Sequence, residues 1–166
     1  MLKVYVQKKS IKRPSKLDLK LCKGWKRLKI NNLKINGFGK LKDKQIKLNE
    51  GINIVYGENE AGKSSLLKFI TSMLYGASKN KNGKDISDFD KYKPWQTEEF
   101  SGKIEYTLDS GEELEVYREF KKKNPVIYNS NKEDISKDFA IDKTKGIDFF
   151  TEQTGVDEES FYSTAI

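Results

Sequence analysis

The ten residues 57–66, GENEAGKSSL, decide how this chain is read. Gly57-x4-Gly62-Lys63-Ser64 fits the phosphate-loop pattern in full. Such a loop has to wrap an anion with successive backbone N–H groups pointing inward. Gly57 and Gly62 permit backbone angles and a close approach that a Cβ would block. A helix beginning at Lys63 offers unpaired N–H groups and the positive end of its dipole. Lys63 adds a mobile point charge for β- and γ-phosphates, and the Ser64 hydroxyl suits Mg2+. Glu58 and Glu60 would repel phosphate if they pointed inward, so both are expected to point out.

The flanks agree with the loop. INIVY, Ile52–Tyr56, is β-branched and mostly apolar, and reads as a strand buried on both faces. After the loop, Leu66, Leu67, Ile70, Met73 and Leu74 recur at helical spacing, which predicts one apolar stripe on a helix over Lys63–Tyr75. Gly76 is a natural C-terminal stop. Upstream, Leu28, Ile30, Leu33 and Ile35 form a strand-like run whose phase slips between Ile30 and Leu33, the sign of a bulge. Gly37-Phe38-Gly39 makes a turn. Ile46 and Leu48 then alternate with lysines, as a half-exposed strand does.

Downstream, residues 77–99 are polar and irregular and read as an exposed loop anchored by Tyr92, Pro94 and Trp95. Ile104, Tyr106 and Leu108 alternate into a turn at 109–112, and Leu114, Val116, Arg118 and Phe120 alternate back, predicting a hairpin. Val126–Tyr128 reads as a short strand. Residues 146–153 and 157–162 read as short helices, the second capped by Asp157. The pattern assigns the core to Ile30, Ile35, Ile52, Ile54, Leu67, Ile70, Leu74, Ile104, Tyr106, Val116 and Phe120.

The 166 residues suffice for one domain with a core, and at 36% hydrophobic and 34% charged the chain is unusually polar. No apolar run approaches the roughly 18 residues of a membrane span, and no secretory signal opens the chain. No membrane partner and a cytoplasmic location are expected. A single cysteine, Cys22, and the lack of histidine exclude an internal disulfide and histidine-based catalysis. The net charge of +7 suggests nucleic acid until it is mapped. Residues 1–27 hold ten Lys or Arg and one acid, whereas the rest of the chain holds 22 basic and 24 acidic residues. The basicity therefore belongs to a tail. Residues 1–27 are expected to be a disordered extension, with a DNA-contacting arm as the sharper reading.

A phosphate loop alone does not separate a GTPase, a small kinase and a motor-type ATPase. Asn131-Lys132-Glu133-Asp134 matches the guanine-reading N-K-x-D pattern, but the Asp-x-x-Gly that a GTPase places between the two motifs is missing from 64–131.

Residues 28–76 closely resemble the start of the YhaN-type AAA domain, found in ATPases of the SbcC/SMC class built on an ABC-type head. The resemblance is carried by a first strand ending in Gly37-Phe38-Gly39, the Gly51-Ile52-Asn53 lead-in and the GENEAGKS loop. Tyr92-x-Pro94-Trp95 and the hairpin ending in Arg118-x-Phe120 look like the antiparallel β-subdomain of such heads. Over 28–166 the resemblance implies an α/β fold of the P-loop NTPase type. A mixed sheet would carry the loop and its helix beside an antiparallel β-layer, together forming the N-terminal lobe of a head. It implies ATP and Mg2+ as cofactors, with Gly57, Asn59, Glu60, Ala61, Gly62, Lys63, Ser64 and Ser65 around the nucleotide, Ser64 on the metal and Lys40 near the base. As partners it implies a second head in a homodimer or a separate C-terminal half, with DNA as a family-level substrate.

In the family, a glutamine loop, a coiled coil, an LSGG-like signature, an aspartate-glutamate motif and a switch histidine follow this lobe. None is found in these 166 residues. The chain is therefore expected to bind ATP without efficient turnover and to hold no catalytic residue of its own. The alternatives are a degenerate binding-only module and a small GTPase or kinase. The family pattern begins at Leu28, so the native start is placed either at Met1 or near Leu28. In the second case residues 1–27 are translated upstream sequence, and the chain reads as a truncated or split gene product.

Overall fold

The structure is a computed structural model that describes residues 3–7, 28–77, 87–142 and 146–165. Five strands form its main sheet: β2 (Leu28–Phe38), β3 (Leu41–Lys47), β5 (Ser101–Leu108), β6 (Glu113–Glu119) and β7 (Val126–Tyr128). They lie in the order β3-β2-β5-β6-β7, each pair antiparallel. Period-2 patterning sends Leu33, Ile35, Ile104, Tyr106, Val116 and Ile127 to one face, where all are buried. The predicted bulge is present, because the register of β2 on β5 shifts between Ile30 and Asn32.

Helix α1 (Lys63–Tyr75) lies across that face. Its contact is as close as glycine allows: a Cβ on Gly102 would stand 2.5 Å from the Phe69 ring. Phe38 ties the end of β2 into the same core, with ring centroids 5.5 Å from Phe69, 5.1 Å from Phe120 and 5.2 Å from Tyr92, on which it stacks. At the far end of the helix the buried Arg118 donates from Nε to the Met73 carbonyl at 3.2 Å. Burial pulls its guanidinium down to about 10, so it stays charged at neutral pH and complements the negative end of the helix.

Strand β4 (Ile52–Tyr56) leads into the loop, and its neighbour is unexpected. It pairs antiparallel with β1 (Lys3–Gln7), in register from Lys3 opposite Tyr56 to Gln7 opposite Ile52. The extension 1–27 is thus not wholly a disordered tail. Val4-Tyr5-Val6 is a run of strong strand formers that the lysine-rich composition masks. Residues 8–27 lie outside the described residues. All strand pairs among the described residues are antiparallel, so the α/β fold is built on antiparallel ladders and the expected mixed sheet is not what forms.

Three core assignments are corrected. Ile52 and Ile54 are each 43% exposed and Leu67 is 42% exposed. In β4 only the alternate face, through Val55, packs on the core. In α1 the buried stripe keeps Leu66, Met73 and Leu74 of the predicted one and takes Phe69 in place of Leu67, because the Phe69 ring fills the space left by Gly102. Ile30 and Ile70 are half-buried at the margin.

The expected irregular loop contains a helix, α2 (Asp88–Tyr92), whose Ser87 cap accepts from the Asp90 N–H at 3.1 Å. Residues 146–153 divide into β9 (Gly146–Ile147), paired with β8 (Ile141–Asp142), and α3 (Phe149–Thr154). Helix α4 (Glu158–Ala165) follows, with Asp157 Oδ1 accepting from the Ser160 N–H at 2.7 Å, the predicted cap. Among the described residues no helix is long and apolar enough to cross a membrane.

Candidate phosphate-binding site

The loop between β4 and α1 takes its shape from two left-handed residues, Glu60 at φ +67 and Gly62 at φ +99. Gly62 is the N-cap of α1, and no side chain caps that end. The first N–H groups of the helix have no intrahelical acceptor by geometry. Lys63 lies back across it, donating from Nζ to the carbonyls of Gly57 at 2.7 Å and Glu58 at 2.8 Å. Both acceptors are neutral backbone carbonyls rather than carboxylates.

The β2–β3 hairpin turn is pressed onto this loop. Its two-residue connection is Gly39-Lys40, with Phe38 opposite Leu41. The Gly39 N–H donates to the Tyr92 carbonyl at 2.6 Å, and a Cβ at Gly39 would stand 3.4 Å from Ser65 Oγ. A Cβ at Gly62 would stand 3.0 Å from Leu41 Cδ2. With the turn held there, Lys40 Nζ reaches Glu60 Oε2 at 2.9 Å. That hydrogen bond and charge hold the Glu60 carboxyl below its ordinary pKa.

The result is a cavity of about 290 Å3 lined by Lys40, Asn59, Glu60, Gly62, Lys63, Ser64 and Ser65. Of the residues singled out from sequence, only Gly57 and Ala61 are off its wall; Gly57 supplies a carbonyl to Lys63, and the Ala61 N–H donates to the Glu58 carbonyl at 3.2 Å. Glu58 and Glu60 are both exposed, but only Glu58 is off the cavity wall; Glu60 lines the cavity at its rim and faces Lys40, which corrects the expectation that it points away. Two lysines, two serine hydroxyls and an uncapped helix start form a donor set that fits a polyphosphate. No cluster of three or more His, Cys, Asp or Glu that could hold a metal occurs among the described residues. A larger groove of about 630 Å3 lies at the other end of α1, walled by Leu28, Ile30, Leu48, Leu74, Phe150 and Phe161, among others. Its lining is mainly apolar and unsuited to phosphate.

The N-K-x-D residues do not join this site. Lys132 pairs with Glu115 at 2.7 Å, and Glu115 also holds Lys103 at 2.7 Å. Lys103 and Glu115 alternate with Ile104 and Val116, so the motif lies on the sheet face turned away from α1. Asn129 Oδ1 accepts from the N–H groups of Asn131 and Glu133, making the segment a side-chain-stabilised turn.

Sequence reasoning did not anticipate the parts played by Leu41, Gly39 and Tyr92 in seating the loop. The readable signals were the glycine beside Phe38 and the Ser87-x-x-Asp90 helix start.

The AAA-domain family profile matches residues 32–164. The chain is 32% identical over 105 residues to "Uncharacterized protein YhaN" of Bacillus subtilis (strain 168), a match covering 55% of this chain and 10% of that protein. It is 34% identical over 59 residues to "Septu protein PtuA" of Bacillus thuringiensis, covering 36% of this chain and 15% of that one. The matched stretch is thus a small part of each relative. The profile takes in the loop, α1 and nearly all of the five-stranded sheet, and on that extent the chain belongs to the AAA-domain family.

Proposed function

We propose that this chain binds Mg-ATP as the N-terminal lobe of a YhaN/SbcC-like ATPase head of ABC type. The observation that carries the reading is the cavity at the start of α1, which joins Lys63, Ser64 and Ser65 to Lys40 from the hairpin turn. Backbone N–H groups of Gly62 through Ser65, with the Asn59 side chain, would hold the phosphates. Lys63 would exchange its two loop carbonyls for phosphate oxygens, and Ser64 would share Mg2+ with them. Lys40 lies at the rim, toward the rest of the nucleotide. The chemistry ATP would supply is cleavage of its terminal phosphoanhydride, with Mg2+ drawing charge from the phosphate oxygens.

Cleavage also needs a group that orients water. The carboxylate on the cavity wall, Glu60, is engaged by Lys40. In this reading the chain binds and positions the nucleotide without efficient turnover. The exposed Ile52 and Ile54 of β4 favour a further polypeptide packing beside the loop, either a C-terminal half or a second head. A cytoplasmic setting is proposed from the single cysteine, and DNA as a substrate of the complete assembly follows from the resemblance alone.

Thermal melts test the proposal. Mg-ATP at about 100 times its dissociation constant stabilises by about 2.7 kcal/mol. A clear upward shift of the melting temperature is expected, larger for ATP than GTP and lost in Lys63→Met. An unmoved midpoint for folded protein, or a GTP preference, would overturn it.

A further inference from the structure

We propose that Glu60 is a built-in counter-ion that withholds Lys40 from phosphate and so sets the affinity of the loop. The inference rests on reading the loop as a polyphosphate cradle and concerns its regulation.

The two cations on the cavity wall are held differently. Lys63 is engaged by neutral carbonyls of Gly57 and Glu58, whereas Lys40 is engaged by a full negative charge at 2.9 Å. A phosphate oxygen is an acceptor of the same kind as the Glu60 carboxylate, so an arriving anion competes with Glu60 for Lys40. Geometry keeps the contest local. Gly39 against Ser65 and Gly62 against Leu41 fix the hairpin turn on the loop, so Lys40 cannot drift out of reach. Glu60 is held at φ +67, an uncommon conformation for a residue with a Cβ, which sets its carboxylate at the rim. The side chains of Lys40 and Glu60 are 52% and 80% exposed, so the pair opens without disturbing the core.

The ligand class is the polyphosphate tail itself, and the probes are Mg-ATP and inorganic tripolyphosphate. Affinities are measured by calorimetry for the native chain, Glu60→Gln, Lys40→Met, the double variant and Lys63→Met, with melting curves to confirm folding. Glu60→Gln is expected to tighten both probes by about two- to fivefold, the scale of an exposed ion pair. The gain should be larger with Lys40 present than in the Lys40→Met background, and it should fade at high salt. An unchanged or weakened affinity in Glu60→Gln, or an equal gain in the Lys40→Met background, overturns the counter-ion role while leaving the cradle standing. Absence of binding by every folded variant, the native chain included, overturns both.

Discussion

Gly62 and Leu41 meet where the β2–β3 turn rests on the loop before α1: a Cβ on Gly62 would stand 3.0 Å from Leu41 Cδ2, on a backbone at φ +99. Both the contact and the left-handed angle oppose a side chain. Gly62→Ala should therefore distort the loop while sparing the sheet. The expected result is Mg-ATP affinity lower by about tenfold or more, since about 1–2 kcal/mol of backbone strain falls on the residue before Lys63. Circular dichroism should be unchanged. Native affinity in this variant would show that the loop is not seated as described.

Gly102 and Phe69 set the distance between sheet and helix. A Cβ at Gly102 would lie 2.5 Å from ring atoms of Phe69, which is fully buried. Gly102→Ala should destabilise the fold by about 1–3 kcal/mol through overpacking. Phe69→Ala should cost about 3–5 kcal/mol through the cavity it leaves. Urea titrations measure both, and a neutral Gly102→Ala would contradict the packing.

Glu115 should make stability depend on pH. Burial alone would raise its pKa, but hydrogen bonds and charge from Lys103 and Lys132 outweigh it and hold the carboxyl below the ordinary value of 4.5. A carboxylate with a depressed folded-state pKa contributes stability that is present above its unfolded pKa and lost as pH falls through the folded one. Glu115→Gln should thus melt below the native chain at pH 7, and the gap should close as pH falls below about 4. A gap that widens on acidification would reverse the sign of the argument.

The pairing of β1 with β4 can be read by hydrogen exchange. Tyr5 lies opposite Ile54, and Tyr5→Pro removes an amide and breaks the ladder there. Amides of Asn53 through Val55 should exchange several-fold faster, at about 1 kcal/mol per lost bond, while β5 and β6 keep their protection. Unaltered exchange in β4 would show that β1 does not pair with it.

Local patterns were legible wherever one period dominated. Helix α1 and strands β4 and β7 fall on their predicted bounds, and the slip between Ile30 and Leu33 became a real bulge. The residues that line the cavity at the start of α1 could be picked out in the sequence because the Gly57-x4-Gly62-Lys63-Ser64 pattern restricts residue type at each step. What the sequence hid was tertiary. The apolar run Ile52–Tyr56 has the composition of a strand buried on both faces, yet composition cannot say which neighbours exist, and Ile52 and Ile54 are exposed. Leu67 and Phe69 are equally good on a helical stripe, and only the absence of a Cβ at Gly102 decides between them. Lys40 was placed near the site by resemblance; its contact with Glu60 depends on a turn packed by Gly39 and Tyr92, which no linear pattern records.

The central claim is that this loop holds the phosphates of ATP through Lys63. Calorimetric titration of Mg-ATP into the folded chain and into folded Lys63→Met tests it most directly. The account predicts saturable heat for the native chain and an affinity at least about tenfold weaker for Lys63→Met, as expected for losing a charged hydrogen bond. No heat from the native chain, or the same isotherm from both, would contradict it.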